Sequence, residues 1–340
     1  MTNEQLEIMN SMKRVVLAAA IIAVVLAGCG GAAAPASTAL TKIRLPMGYI
    51  ANVQYSPFYI AVDKGYFKEA SLDVEFDYRF ETDGMKLVGA NQLPFAVVSG
   101  EQVPLARQQG LPVVYVMHWW KKYPVAVVSL VEKNLKTPAD LIGKSVGLPG
   151  FFGASYAGWR GLLYKAGVNE ADIKTQDIGF TQVAALQQGQ VDAAVVYINN
   201  EPVQLRAAGL EVNVIDVSSV VTMVANGIVT SEQTIKEKPE MVRGFVRALL
   251  RGLADAIADP ELAFNTSKKY VEGLGSDPAK DAIQRQVLTE SIKLWQGGVP
   301  GVSDAAAWDT TQEVLMNMGL LTAKIDNAQL FTNQFVEAAK

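Results

Sequence analysis

Among the 340 residues there is one cysteine and one histidine. A lone thiol forms no internal disulfide, and one Cys with one His cannot supply a zinc site built from several such ligands. Chemistry that leans on histidine has a single residue to work with, His118. No basic block stands out either: 30 Lys and Arg face 34 Asp and Glu, a net charge of −4, which argues against a general nucleic-acid binder. No apolar run reaches the roughly 20 residues that a membrane-spanning helix requires. What is present suits a folded chain of about two domains, because 50% hydrophobic and 19% charged residues are too apolar a mixture for disorder.

The N-terminal region carries its own pattern. Lys13 and Arg14 precede thirteen apolar residues, 15–27, and then Gly28, Cys29 and Gly30. A positive flank, a short apolar stretch and small residues make a secretory signal. Leu26-Ala27-Gly28-Cys29 resembles the bacterial lipobox, which implies cleavage after residue 28 and lipidation of Cys29. Residues 1–28 are therefore expected to be a lipoprotein signal peptide and 29–41 a flexible Gly/Ala/Ser/Pro linker. The body is expected outside the cytoplasm, held to the cell membrane by acyl chains. Met12 is an alternative start, since 1–11 add no positive charge.

From residue 42 onward, short β-rich runs alternate with helical stretches, the pattern of an α/β fold with a mostly parallel sheet. The expected strands are 42–48, 73–78, 95–98, 113–118, 125–130, 145–148, 192–197 and 212–217. Ser56-Pro57 reads as a helix start, and Ser99 with Gln102 reads as a capping box. After residue 238 the pattern turns helical, at 240–257, 279–295 and 305–318. Extended apolar stretches at 125–131 and 223–230 are expected to carry the chain out of one lobe and back. That places lobe 1 at 42–127 and 228–340 and lobe 2 at 128–227, two lobes able to hinge around a ligand.

The segments Tyr55-Ser-Pro-Phe-Tyr-Ile-Ala-Val-Asp-Lys-Gly-Tyr-Phe67, Val103-Pro-Leu-Ala-Arg-Gln-Gln-Gly110, Leu135-Lys-Thr-Pro-Ala-Asp-Leu-Ile-Gly-Lys-Ser-Val-Gly147 and Gly189-Gln-Val-Asp-Ala-Ala194 resemble ABC-transporter substrate-binding proteins. The branch is that of nitrate, taurine, alkanesulfonates and thiamine pyrimidine precursors, and the chain is most similar to its riboflavin-binding members. The resemblance implies the type II periplasmic-binding-protein fold: two α/β lobes joined by paired hinge strands. It also implies a small molecule captured in the interlobe cleft, delivery to a permease and its ATPase, and no chemistry on the ligand. A monomer without cofactor is expected, the vitamin being cargo.

The positions that face the cleft in the family read here as Tyr49, Asn52, Tyr55 and Phe58; Ser99, Glu101 and Gln102; Trp119 and Trp120; Phe151 and Phe152; and Tyr197, Asn199, Asn200 and Glu201. So many aromatic faces favour a flat heteroaromatic ligand, because stacking adds about 0.5–1.5 kcal/mol per pair beyond buried area. Glu201 and the Gly150-Phe-Phe-Gly153 loop argue against an anion. Asn199-Asn200-Glu201 resembles the element that reads ring nitrogens in thiamine-pyrimidine binders, although Asn-Asn before Glu-Pro also suits a plain turn. The surplus of rings points to riboflavin, with a formylaminopyrimidine or hydroxymethylpyrimidine as the alternative. A sulfonate or nitrate carrier and a histidine-consuming pyrimidine synthase follow behind. Alternation along a strand would send only one of Trp119 and Trp120 to the ligand. Of Phe151 and Phe152, one is expected to stack while the other fills core. His118 reads as structural first and as a cleft residue second.

Overall fold

A computed structural model describes residues 39–338. Cys29, the expected signal peptide and nearly all of the expected linker lie outside the described residues. Thr41 already belongs to the first strand, β1 (Thr41–Gly48), which runs parallel to β2 (Leu72–Phe80) with Ile43 opposite Val74 and Leu45 opposite Phe76. The helix Ser56–Asp63 crosses between them, and Gly65 ends that turn at φ +76°. Helix Glu81–Gly89 then leads to β3 (Ala96–Val98), and helix Gln102–Gln108 leads to β4 (Val113–His118).

The second lobe holds β5 (Val125–Leu130), β6 (Ser145–Leu148), β7 (Lys174–Asp177), β8 (Ala193–Tyr197) and β9 (Val212–Asp216), in the order β7-β6-β8-β5-β9. The chain returns through β10 (Gly227–Ser231), which inserts between β3 and β4. The pairing is mixed, not mostly parallel. β10 is antiparallel to β3 and β4, and β5 is antiparallel to β8 and β9. The strands that carry the chain between lobes enter each sheet against its direction, which sets this mixture. Each also pairs along its whole length in one sheet. A division at 127/128 therefore cuts β5, and we place the two crossings in the connections 119–124 and 217–226. β7, whose Lys-Thr-Gln-Asp sequence carries no apolar signal, was not expected as a strand.

The C-terminal helices Pro239–Ala258, Pro260–Ser267, Pro278–Trp295 and Ala305–Asn317 cover the first lobe and reach the second. The first three open with proline, which lacks the N–H that a first-turn residue has no helical use for. In Pro239–Ala258 the buried Val242, Phe245, Val246, Leu249, Leu253 and Ala256 recur every three or four residues, an amphipathic stripe against the core. No described helix is long and apolar enough to cross a membrane.

That stripe meets the helix Ser56–Asp63 at Gly252, where a methyl group would overlap the Pro57 carbonyl oxygen and crowd Ala61. Alanine in a helix normally gains up to about 1 kcal/mol over glycine. Here overpacking against backbone reverses the sign. Gly252→Ala is expected to lower unfolding free energy by about 1–3 kcal/mol in urea titration; an unchanged or raised midpoint would show that the two helices can part freely.

Candidate functional site

Between the lobes lies a cavity of about 110 Å³ whose walls come from both. On the first lobe, Gly48 turns the chain at φ +82° after β1, and Tyr49 follows at the cavity edge. Asn52 accepts the Gln54 N–H at 3.1 Å and so closes the next turn. The turn seats Tyr55, whose hydroxyl donates to the Met47 carbonyl at 2.7 Å and whose ring stacks on Trp119 with centroids 5.5 Å apart. Phe58, fully buried, meets Trp119 edge-on at 5.0 Å. Tyr55 and Tyr49 line the cavity. Asn52 and Phe58 do not: one shapes the loop and the other backs the indole.

Both tryptophans line the cavity, against the expectation of one. They follow β4 instead of continuing it, and their two N–H groups converge on a single acceptor, the Asn226 carbonyl, at 3.1 and 3.2 Å. Strand alternation does not operate in such a turn. Trp120 packs edge-on to Tyr197 at 6.2 Å and to Trp295 at 5.9 Å. At the mouth, Tyr49 meets Phe180 at 5.1 Å, and Phe80 meets Phe152 at 5.8 Å and Phe180 at 6.3 Å, so rings of the two lobes face one another. Phe151 points elsewhere: it is exposed, lies edge-on to Tyr156 and fills no core.

The polar end is built by the start of the helix Glu201–Ala207. Glu201 is buried, accepts the Tyr197 N–H at 2.9 Å and takes a further bond from the Asn200 amide at 3.0 Å. Both residues line the cavity, while Asn199 turns away to donate to Gln54 at 2.9 Å and Ser291 at 2.8 Å, tying the lobes together. Gln54, Gln182 and Asn226 add amides, and Glu81 adds a second carboxyl. Among the described lining residues none is Lys, Arg or His. His118 lies outside, buried beside Tyr115, and its burial pushes its pKa down to about 3.

Matching to known families assigns residues 52–263 to the "NMT1/THI5 like" model. The chain belongs to the NMT1/THI5-like family. It is 42% identical to the riboflavin-binding protein RibY of Chloroflexus aurantiacus, over 89% of each chain. It is 29% identical to the formylaminopyrimidine-binding protein of Halalkalibacterium halodurans, over 88% of this chain and 92% of that one. Among solved structures, the periplasmic aliphatic sulphonate binding protein SsuA of Escherichia coli superposes with a TM-score of 0.69 at 15% identity, covering 85% of this chain and 96% of that one. The fold is therefore the two-lobed periplasmic-binding-protein fold.

Ser99 and Gln102 form no capping box. Ser99 is buried, with its N–H donating to Glu81 Oε2 at 2.8 Å and its hydroxyl in contact with both Glu81 and Glu101. Gln102 donates instead to Glu101 and, like Phe151, borders a separate cavity of about 300 Å³. The second-lobe rim, Phe180 and Gln182, and Phe80 and Glu81 at the end of β2 and the start of the next helix, escaped sequence reading; an aromatic just before a helix start was the one available signal for Phe80 and Phe180.

One hydroxyl proton serves two carboxylates poorly, which favours a proton on one of the pair. Burial and the neighbouring Glu81 raise Glu101 to about 8, and Tyr115 and Tyr123 also face it. Burial likewise raises Glu201 to about 7, beside Tyr49 and Tyr197. The unfolded chain loses both protons near 4.5 while the folded chain holds them, so folding is favoured at low pH and loses stability as pH rises through the folded values. Melting temperature is expected to fall from pH 5 to pH 8.5, and Glu101→Gln to flatten that decline. An equally steep decline in the variant would mean that Glu101 is ionised throughout.

Proposed function

We propose that this chain is the substrate-binding component of an ABC importer and that it captures riboflavin in the interlobe cavity. The observation that carries the proposal is the lining: aromatic faces from both lobes, carboxyls and amides at the polar end, and no basic side chain among the described lining residues. Such a wall suits a flat, uncharged ring that offers N–H and carbonyl groups at one edge. The 42% identity to a riboflavin-binding protein supports the same ligand. A tricyclic ring needs more room than about 110 Å³, so it must part the Phe80, Phe152 and Phe180 mouth and lie between those rings.

A second reading is favoured by one number. At about 110 Å³ the cavity is near the ~150 Å³ in which a single benzene is held, which suits one pyrimidine ring without movement of the mouth. The formylaminopyrimidine-binding relative supports it. A carrier role is preferred over a histidine-consuming synthase because His118, the sequence's one histidine, lies outside the cavity. Beyond the ligand, the proposal includes a permease and its ATPase as partners, a monomeric body, and an extracytoplasmic anchor through Cys29. Acyl labelling of the full chain is expected to vanish in Cys29→Ser, and an unlabelled wild type would remove the anchor.

Calorimetry with riboflavin and with formylaminopyrimidine separates the two ligands. Riboflavin is expected to bind one per chain, to raise the melting temperature and to lose its own fluorescence on binding. Phe180→Ala, at an exposed mouth position, is expected to weaken riboflavin by about 2- to 10-fold and leave the single-ring ligand unaffected. Binding of the pyrimidine alone would transfer the assignment to the second reading.

A further inference from the structure

The cavity wall on the second lobe includes the start of the fourteen-residue helix Gly153–Ala166. Helix starts present unpaired N–H groups and partial positive charge, which is where a small oxyanion binds. Phe152, at the capping position, provides no side-chain hydrogen bond of its own. The position is filled from the opposite lobe. Glu81, the first residue of its own helix after β2, brings its carboxylate so close that a Cβ built on Gly153 would sit 2.5 Å from Glu81 Oε1. Gly153, at φ +67°, leaves that space free. Burial raises the Glu81 pKa, and the Ser99 N–H and hydroxyl and the Ala154 N–H oppose that rise by favouring its charged form. On its own side Glu81 is held by Ser99, whose N–H reaches Oε2 at 2.8 Å and whose hydroxyl lies 2.8 Å from both oxygens.

We propose that Glu81 determines ligand class by serving as a built-in anion: it caps the second-lobe helix across the cleft, takes the place a sulfonate or nitrate would occupy, and leaves the cleft to uncharged rings. A free oxyanion entering the closed cleft would meet a carboxylate where it needs donors, with no Lys, Arg or His among the described lining residues to offset the repulsion. An uncharged ring is indifferent to that charge, or gains from it through its own N–H groups. The inference rests on the proposal that this cavity is the ligand site, and it adds the residue that separates ring ligands from anions on one scaffold.

The test titrates ethanesulfonate and nitrate into the wild type, Glu81→Ala and Glu81→Gln by calorimetry, with riboflavin titrated in parallel. The wild type is expected to bind neither anion at millimolar concentration. Glu81→Ala, which removes the charge and opens the helix start, is expected to bind ethanesulfonate at least about tenfold more tightly than the wild type. Should the alanine variant fail to fold, Glu81→Gln carries the test, since it keeps the shape, removes the charge and adds a donor. Anion binding by the wild type equal to that of the variants overturns the proposal, and so does a folded variant that gains none. A wild type that ignores riboflavin while the variants gain ethanesulfonate removes the flavin assignment and leaves the role of Glu81 standing.

Discussion

One carbonyl oxygen decides what the cleft can be. Asn226 sits where the chain returns from the second lobe, and its oxygen accepts the N–H groups of both Trp119 and Trp120, where the chain leaves the first. The outgoing and returning connections are thereby joined at one point, and two successive indoles that a strand would have split face the same cavity. Everything aromatic in the inner wall follows from that junction. Tyr55 and Phe58 pack on Trp119, Trp295 braces Trp120, and Tyr197 donates its hydroxyl to the Asn226 side chain at 3.2 Å. The crossing point is also a wall of the cavity, so under the proposed function a ligand that presses on the indoles acts directly on the segments that join the lobes.

The lobes also touch through groups a ligand would compete with or lean on. Asn199 bonds to Gln54 and Ser291 across the cleft, Tyr49 and Phe80 meet Phe180, and Glu81 stands at the start of the opposite helix. These contacts exist only when the lobes are together. They stabilise closure without a ligand, and a ligand shifts the balance only by what it adds in the closed form beyond what it gains in the open one. The mouth rings are the place where that difference is available to a large ring system, because half of each exposed phenyl is still in water.

Much of the architecture was legible in the sequence because burial imposes periodicity. β4, β5 and β6 fall where their apolar runs end, and the helix Pro239–Ala258 shows its stripe at every turn. β7 was hidden by its polar composition: it is an edge strand of the second-lobe sheet, so water, not core, receives most of its side chains. Of the candidate residues, Tyr49, Tyr55, Trp119, Trp120, Phe152, Tyr197, Asn200 and Glu201 line one cavity. Asn52, Phe58, Ser99, Gln102, Phe151 and Asn199 stand off the lining: Asn52 closes its own turn, Phe58 backs Trp119, Ser99 meets Glu81, Gln102 meets Glu101, Phe151 meets Tyr156, and Asn199 meets Gln54 and Ser291. Composition near a loop says which residue types are present; it does not say which way a hydrogen bond will turn them.

In the proposed function the carboxyls give the cleft its means of discrimination. Burying Glu81, Glu101 and Glu201 beside tyrosines costs stability, since each would be better solvated outside. A purely aromatic slot would avoid that cost, yet it could separate flat ligands only by size, a matter of about 1–3 kcal/mol per misfitting group. With an acceptor fixed at Glu201 by Tyr197 and Asn200, a ring lacking an N–H at that edge strands a buried carboxylate or forces it to stay protonated. For the proposed ligand the penalty is absent, and it falls on a ring without that N–H. Glu81 applies the same logic at the other end of the cavity, where its charge meets any incoming anion. Under the proposed function, stability given up in the empty protein reappears as selectivity, and the residues least comfortable in the cleft are the ones that choose what enters it.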